Sequence, residues 1–323
     1  MKNYEYQSQL APYISGLIRQ KRADGYSYEF EAYMLERFDR FCIENGYDNG
    51  SLTRELVMAW AEQRPSESKN YRNQRVSFVR QLALYVISLN MEAYIPRAFE
   101  SNEISVPHIL SFDEVHEFYK AVDNFLPCQP NFRRFSLSYS VLFRLFYCCG
   151  LRLSEGCYLK RSTVNLENGC LSIYQSKGHK DRVVFMSGDM LQMCRNYDRL
   201  MQKLLPDRDW FFPGRDEFKP FSKTSIDKKF SELWNMTPYA GKVDKKPTVH
   251  SLRHTYVVTK MNDWMKEGKD FEAMMPYLSR YLGHASIDET QYYYHLVVFA
   301  FEIVRKHDSV AKRVIPEVVP HEE

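Results

Sequence analysis

The sequence predicts a mainly α-helical protein with one small antiparallel β-sheet: a helical N-terminal domain followed by a mixed α+β domain. Three observations carry this. Apolar residues recur at helical spacing through residues 5–91. A segment holding Pro96 and Pro107 then breaks the pattern. Beyond it, two strand-like runs flank the turn SKGHK. A chain of 323 residues also suits two domains, at roughly 100–200 residues each.

The first domain is placed at 1–98. LERFDRFCIENGY (35–47) has helical periodicity and ends at a glycine, and SLTRELVMAWAEQR (51–64) ends before Pro65. SESKNYRNQRVSFVRQLALYVISLN (66–90) follows, with an expected apolar face of Val76, Val79, Leu82, Leu84, Val86 and Leu89. Lys69, Arg72, Arg75 and Arg80 cluster at its start, opposed only by Glu67. Residues 99–108 are read as a linker. The second domain, 109–323, opens at Ser111-x-x-Glu114, a capping box ahead of an apolar helix. FSLSYSVLFRLFYCCG (135–150) is a strongly apolar helix ending at Gly150. CLSIYQ (170–175) and DRVVFM (181–186) form the two expected strands, SKTSIDKKFSELW (222–234) a helix, and HLVVFAFEIVRKH (295–307) a last amphipathic helix.

Composition excludes several classes. The 44 basic and 41 acidic side chains leave a net charge of +3, too balanced to announce a polyanion binder by total charge. The 7 cysteines form no C-x-x-C pair, which suits reduced thiols and not a disulfide frame. The polar start MKNYEYQSQL has no apolar signal core, and no apolar run nears the ~18 residues of a membrane span. These features read as a soluble intracellular protein, placed in the cytoplasm.

The residues able to do chemistry are few. Arg152 and Glu155 stand in GLRLSE, Lys177 in the hairpin turn SKGHKDR, His250 and Arg253 in HSLRH, and His284 in LGHAS; Tyr292, Tyr293 and Tyr294 precede His295. Arginine forks match phosphate oxygens. Lysine and histidine move protons, and a tyrosine hydroxyl can attack phosphorus to form a covalent ester. No acidic cluster suggests a magnesium site. His250 and His254 have a metal-ligand spacing but lack the glutamate of H-E-x-x-H. The set amounts to phosphoryl transfer without metal or cofactor. Helix neighbours point ~100° apart, so at most one of the three tyrosines faces a given site, and spacing alone does not choose it.

Each motif is weak alone. Together and in this order, GLRLSE, SKGHKDR, HSLRHT and LGHAS–IDETQYYYH resemble the tyrosine recombinase (phage integrase) family. The resemblance implies a helical core-binding domain and a mixed catalytic domain that clamp DNA. It implies Arg152 and Arg253 as phosphate clamps, Glu155 as the acidic residue that buttresses the site and Lys177 as the acid for the leaving 5′-oxygen. His250 would accept the tyrosine proton, and His284 would hydrogen-bond the phosphate. The family's nucleophile lies nine residues after that histidine, which selects Tyr293.

DNA contacts are expected from Lys69, Arg72, Arg75, Lys180 and Lys228, with Arg80 a weaker one and Lys223 and Lys229 beside Lys228. The implied partners are double-stranded DNA, further copies of the chain in a tetramer on DNA, and accessory DNA-bending or directionality factors. The last helix would dock on a neighbouring subunit. The implied activity is site-specific recombination, leaning towards a mobile-element integrase in the nucleoid. A type IB topoisomerase-like relaxase and an idle DNA-binding architectural protein are its rivals. Two departures stand out: the stretch between Arg253 and His284 is several residues longer than in compact relatives, and Ser251 replaces a common aspartate.

Overall fold

The computed structural model describes residues 4–47, 49–99, 107–127, 133–174, 181–284 and 286–293. The chain divides into two compact units, Met1–Ser105 and Val106–Glu323.

Among its described residues the first unit holds four helices: α1 (Ala11–Ala23), α2 (Glu29–Glu44), α3 (Arg54–Trp60) and α4 (Lys69–Ser88). Their starts follow local chemistry. Pro12 sits in the first turn of α1, while Thr53 and Ser68 cap α3 and α4 through their hydroxyls. The core joins Ile14 and Leu17 of α1, Leu35 and Phe38 of α2, Leu56 and Trp60 of α3, and Val79 and Leu82 of α4. Gly16 lets α1 lie close to α4, because a Cβ there would strike the Tyr85 ring.

Helix α4 corrects two expectations. Leu84 and Leu89 are exposed; the inward face is Val76, Val79, Leu82, Ala83 and Val86. Position 84 lies about 200° around the helix from 82, so both cannot face the core. Arg75 does face it, since 75, 79, 82 and 86 share one stripe, and it is fully buried. Its guanidinium forms a fork with Glu67 (2.8 and 2.7 Å) and donates to the carbonyls of Glu62 (3.0 Å) and Trp60. Arg75 is therefore structural and leaves the set of expected DNA contacts. Arg72 is half-buried, donating to the Ala61 carbonyl at 2.6 Å with its guanidinium 3.6 Å from the Phe99 ring centre. Lys69 and Arg80 are exposed.

Arg75→Ala should cost about 3–5 kcal/mol, because it strands the buried Glu67 carboxylate. Urea unfolding checks this: the midpoint should fall clearly for Arg75→Ala and stay put for Lys69→Ala.

The second unit opens with α5 (Phe112–Asp123), whose capping box between Ser111 and Glu114 forms as the sequence predicts. The apolar helix α6 (Arg133–Cys149) follows, then the short α7 (Leu153–Cys157). Among the described residues the sheet has three strands, in the order β1 (Val164–Asn165), β2 (Cys170–Ile173), β3 (Arg182–Phe185), all antiparallel, with Leu171 opposite Val184. Two strands were expected; β1 has only two residues, too few to show a period. Helices α8 (Gly188–Leu204), α9 (Lys223–Trp234), α10 (Val249–Lys266), α11 (Phe271–Leu282) and α12 (Asp288–Gln291) follow among the described residues. Phe118, Phe143, Phe146, Phe230, Trp234 and Leu252 form its core. A second cluster joins Val257 and Met261 of α10 to Leu278 and Leu282 of α11 and to Tyr293. The long stretch between Arg253 and His284 is thus the rest of α10 plus α11, and Ser251 completes a capping box with Thr248 at the start of α10.

Candidate active site

Site construction starts at the first turn of α7. Gly150 ends the α6 segment with φ +61, and Arg152 becomes the N-cap of α7. Glu155, three residues on, accepts the Arg152 backbone N–H at 2.7 Å and its Nη1 at 2.9 Å. The same carboxylate takes a two-pronged bond from Arg182 of β3, 2.7 Å on each side. Burial alone would raise the Glu155 pKa, but Arg182, and after it Arg152, hold it down to about 2.

The C-terminus of α11 anchors the arginines. Arg182 Nε donates to the Tyr281 carbonyl (2.7 Å), Arg253 Nη2 to Leu282 (2.9 Å), and Arg152 Nη2 to Gly283. The last carbonyls of a helix lack partners and carry the negative end of its dipole, so they suit guanidinium groups. Gly283 caps α11 with φ +66, and a Cβ there would press on Arg182 and Arg152 at 3.0 and 3.2 Å.

Arg253, on α10, is 2% exposed. Nη1 donates to the Gly150 carbonyl at 2.6 Å, which ties α10 to the start of the Arg152 turn. Burial, then the charge of Arg152, lowers its pKa to about 10. Nη2 also lies 3.1 Å from His284 Nε2. Arginine can only donate, so that nitrogen accepts, and His284 Nδ1–H donates to the Thr290 hydroxyl at 2.7 Å. His284 is therefore a neutral imidazole, consistent with a pKa held near 3 by burial and then by Arg253 and Arg152.

Tyr293 is 4% exposed, its ring parallel to that of His284 with centres 6.4 Å apart. Its hydroxyl lies 2.6 Å from Nδ1 of His254. The expected proton acceptor, His250, sits one turn earlier on α10 at the surface, its ring edge-on to His254 at 4.5 Å. Tyr292 is half-buried with its ring edge against Tyr293. Burial raises the Tyr293 pKa to about 12.

The structure thus brings Arg152, Glu155, His250, Arg253, His284 and Tyr293 together, and Arg182, His254 and Thr290 join them unforeseen. Nothing in the spacing marks Arg182. His254 was visible only as half of a metal-type pair, and no group of three metal-ligating side chains occurs among the described residues. Lys177, Lys180, Tyr294 and residues 295–307 lie outside the described residues. Lys228 is exposed on α9, and Lys229 pairs with Glu232 at 2.7 Å.

A pH dependence of stability follows. Unfolded histidine titrates near pH 6.5, whereas His254 and His284 are held near 3. Below pH 6.5 the unfolded chain binds the extra protons, so stability falls with pH down to about 3. By pH 5 the two should together cost on the order of 2 kcal/mol, discounted for the partial exposure of His254. Thermal melts should show Tm roughly 5 °C lower at pH 5 than at pH 7; equal values would contradict the buried neutral pair.

Residues 108–298, which contain this whole constellation, match the model of the phage integrase family. The chain belongs to that family. This phage integrase relative is 30% identical over 276 residues to the Sinorhizobium fredii protein y4rE, provisionally named an integrase/recombinase, with 83% of this chain and 86% of that one covered. It is 30% identical over 181 residues to the tyrosine recombinase XerC of Chlamydia trachomatis, covering 56% of this chain and 50% of that protein. Among solved structures, the Tn1549 transposon integrase bound to transposon right-end DNA aligns with a TM-score of 0.64 at 15% identity, covering 94% of this chain and 99% of that one. The XerH site-specific recombinase on its palindromic difH substrate aligns at 0.61 and 20% identity, covering 85% and 78%. At such identities the likeness is one of fold: mainly helical with a small antiparallel sheet. The phage integrase family breaks and rejoins DNA strands. No helix among the described residues is long and apolar enough to cross a membrane.

Proposed function

We propose that this phage integrase family member is a site-specific DNA recombinase with Tyr293 as its nucleophile. The observation that carries the reading is the meeting, at the end of α11, of two guanidinium groups with a buried tyrosine. Arg152 and Arg253 hold to consecutive carbonyls there, and His284 links Arg253 to the Tyr293 ring.

In this reading a scissile phosphate lies against Arg152 and Arg253, whose charges stabilise the pentavalent phosphorus. Tyr293 Oη attacks, the bond to the 5′-oxygen breaks, and a 3′-phosphotyrosyl link forms. Lys177 protonates the departing oxygen. His284 orients Arg253, since its two ring nitrogens are taken by Arg253 and Thr290 and leave no N–H for the phosphate; His250 lines the open side, and Glu155 fixes Arg152. The covalent link stores the bond energy, and a 5′-hydroxyl from a second duplex reverses the step. Two rounds pass through a Holliday junction held by four protomers, with the C-terminal segment (295–307) docking in trans. Lys69, Arg72, Lys180 and Lys228 supply phosphate contacts, salt-dependent and indifferent to sequence. A mobile-element role is part of the same proposal and rests on the overall family resemblance.

The test uses a plasmid carrying two copies of the sequences that flank the gene, with EDTA present. Exchange between the two copies is the expected product. Relaxation without exchange would replace the reading with a topoisomerase-like one. Binding without cleavage would leave an idle DNA-binding protein.

A further inference from the structure

The shortest contact to the proposed nucleophile comes from a residue outside the expected catalytic set. His254 Nδ1 stands 2.6 Å from Tyr293 Oη, well inside hydrogen-bond range. Phenol is the stronger acid and neutral imidazole the stronger base of the pair, so the hydroxyl donates and Nδ1 accepts. The two rings lie 5.3 Å apart. His254 follows Arg253 directly on α10, so one helix turn carries both a phosphate clamp and the acceptor. His250 packs edge-on to the His254 ring and reaches solvent, with no hydrogen bond to Tyr293 among the described residues.

We propose that His254, and not His250, takes the Tyr293 proton during attack. The inference rests on the recombinase reading above. As the Oη–H bond breaks, the proton passes to Nδ1 and the electron pair left on Oη forms the bond to phosphorus. The phosphorus bond to the 5′-oxygen breaks, and that oxygen is protonated by the general acid. In the rejoining step the proton returns from Nδ1 to Oη.

The surroundings suit this role. Burial, then His250, Arg253, Lys245 and His284, keep His254 neutral in the free protein, with a pKa of about 3. Its Nδ1 lone pair is thus available at neutral pH, though weakly basic. A phosphodiester anion entering between Arg152 and Arg253 offsets those positive charges and raises its basicity. Proton acceptance is thereby coupled to the arrival of DNA.

The experiment measures single-turnover adduct formation on nicked duplexes made from the sequences flanking the gene, between pH 6 and 9. His254→Asn keeps an acceptor oxygen near the Nδ1 position but cannot hold the proton; His254→Ala removes both. Each should lose on the order of 100-fold at pH 7, the low end for general acid–base catalysis, while keeping duplex binding and thermal stability. The deficit should shrink as pH rises. A 5′-bridging phosphorothiolate, whose leaving sulfur needs no acid, should rescue Lys177→Ala and not His254→Asn. His250→Asn should keep the wild-type pH profile, whatever its rate. His254→Asn within a few-fold of wild type, rescue of it by the phosphorothiolate, or a pH profile altered only in His250→Asn would each overturn the proposal. A wild-type protein forming no adduct at Tyr293 would overturn it together with the recombinase reading; unaffected His254 variants beside a normal wild-type adduct would overturn it alone.

Discussion

Tyr293→Phe is expected to abolish covalent complex formation, a loss of at least about 10⁴-fold in cleavage, while DNA binding persists. The change deletes one oxygen. It leaves the ring in its apolar cluster with Val257, Met261 and Leu282, so folding should be little affected. Tyr292→Phe removes the same atom from a half-buried neighbour whose ring edge meets Tyr293, and should change the rate by a few-fold at most. Rates from denaturing gels, set beside binding isotherms, separate the two cases. Equal losses in both variants would mean that the triplet acts as a packing unit and not through one hydroxyl.

The second large effect is expected at Glu155. Its carboxylate holds Arg152 and Arg182 at once, and its side chain is 4% exposed. Glu155→Ala leaves two guanidinium groups in a half-closed site without their anion, at a cost of about 3–5 kcal/mol. It also frees the Arg152 fork, so cleavage should fall further than stability alone explains. Glu155→Gln keeps the shape and one acceptor oxygen and should lie between wild type and alanine. The sign of the pH effect is set by the depressed pKa: the stabilisation is complete above about 4.5 and is lost as pH falls towards 2. Urea unfolding at pH 7 and pH 3 should therefore show the wild type approaching Glu155→Ala at the lower pH. A wild-type advantage that persists undiminished at pH 3 would contradict the buried ion network.

Much of this arrangement is legible in the sequence alone. The capping box at Ser111 and Glu114 and the long apolar helix ending at Gly150 depend on neighbours within a turn or two, and such local chemistry reads directly. Tyr293 was selected by a family spacing, not by physics, since three adjacent tyrosines look alike to any local rule. Arg75 shows the opposite failure. Its register with Val79, Leu82 and Val86 was present in the sequence, as was Glu67, but a positive charge was read as an outward-facing one. Arg182 could not be found at all: its burial depends on the end of α11 coming to rest against β3, and residues 182 and 281 are far apart in the chain. The choice between His250 and His254 has the same origin. They share a helix and differ by one turn, and which of them meets the hydroxyl is decided by where residues 288–293 settle.

The most direct measurement is the site of attachment. The protein is incubated with the nicked flanking duplex, the covalent complex is isolated and digested, and the peptide carrying the nucleotide is sequenced by mass spectrometry. The account predicts modification at Tyr293, present in Tyr292→Phe and absent in Tyr293→Phe. Modification at Tyr292 or Tyr294, or no adduct on DNA that the protein binds site-specifically, would contradict it.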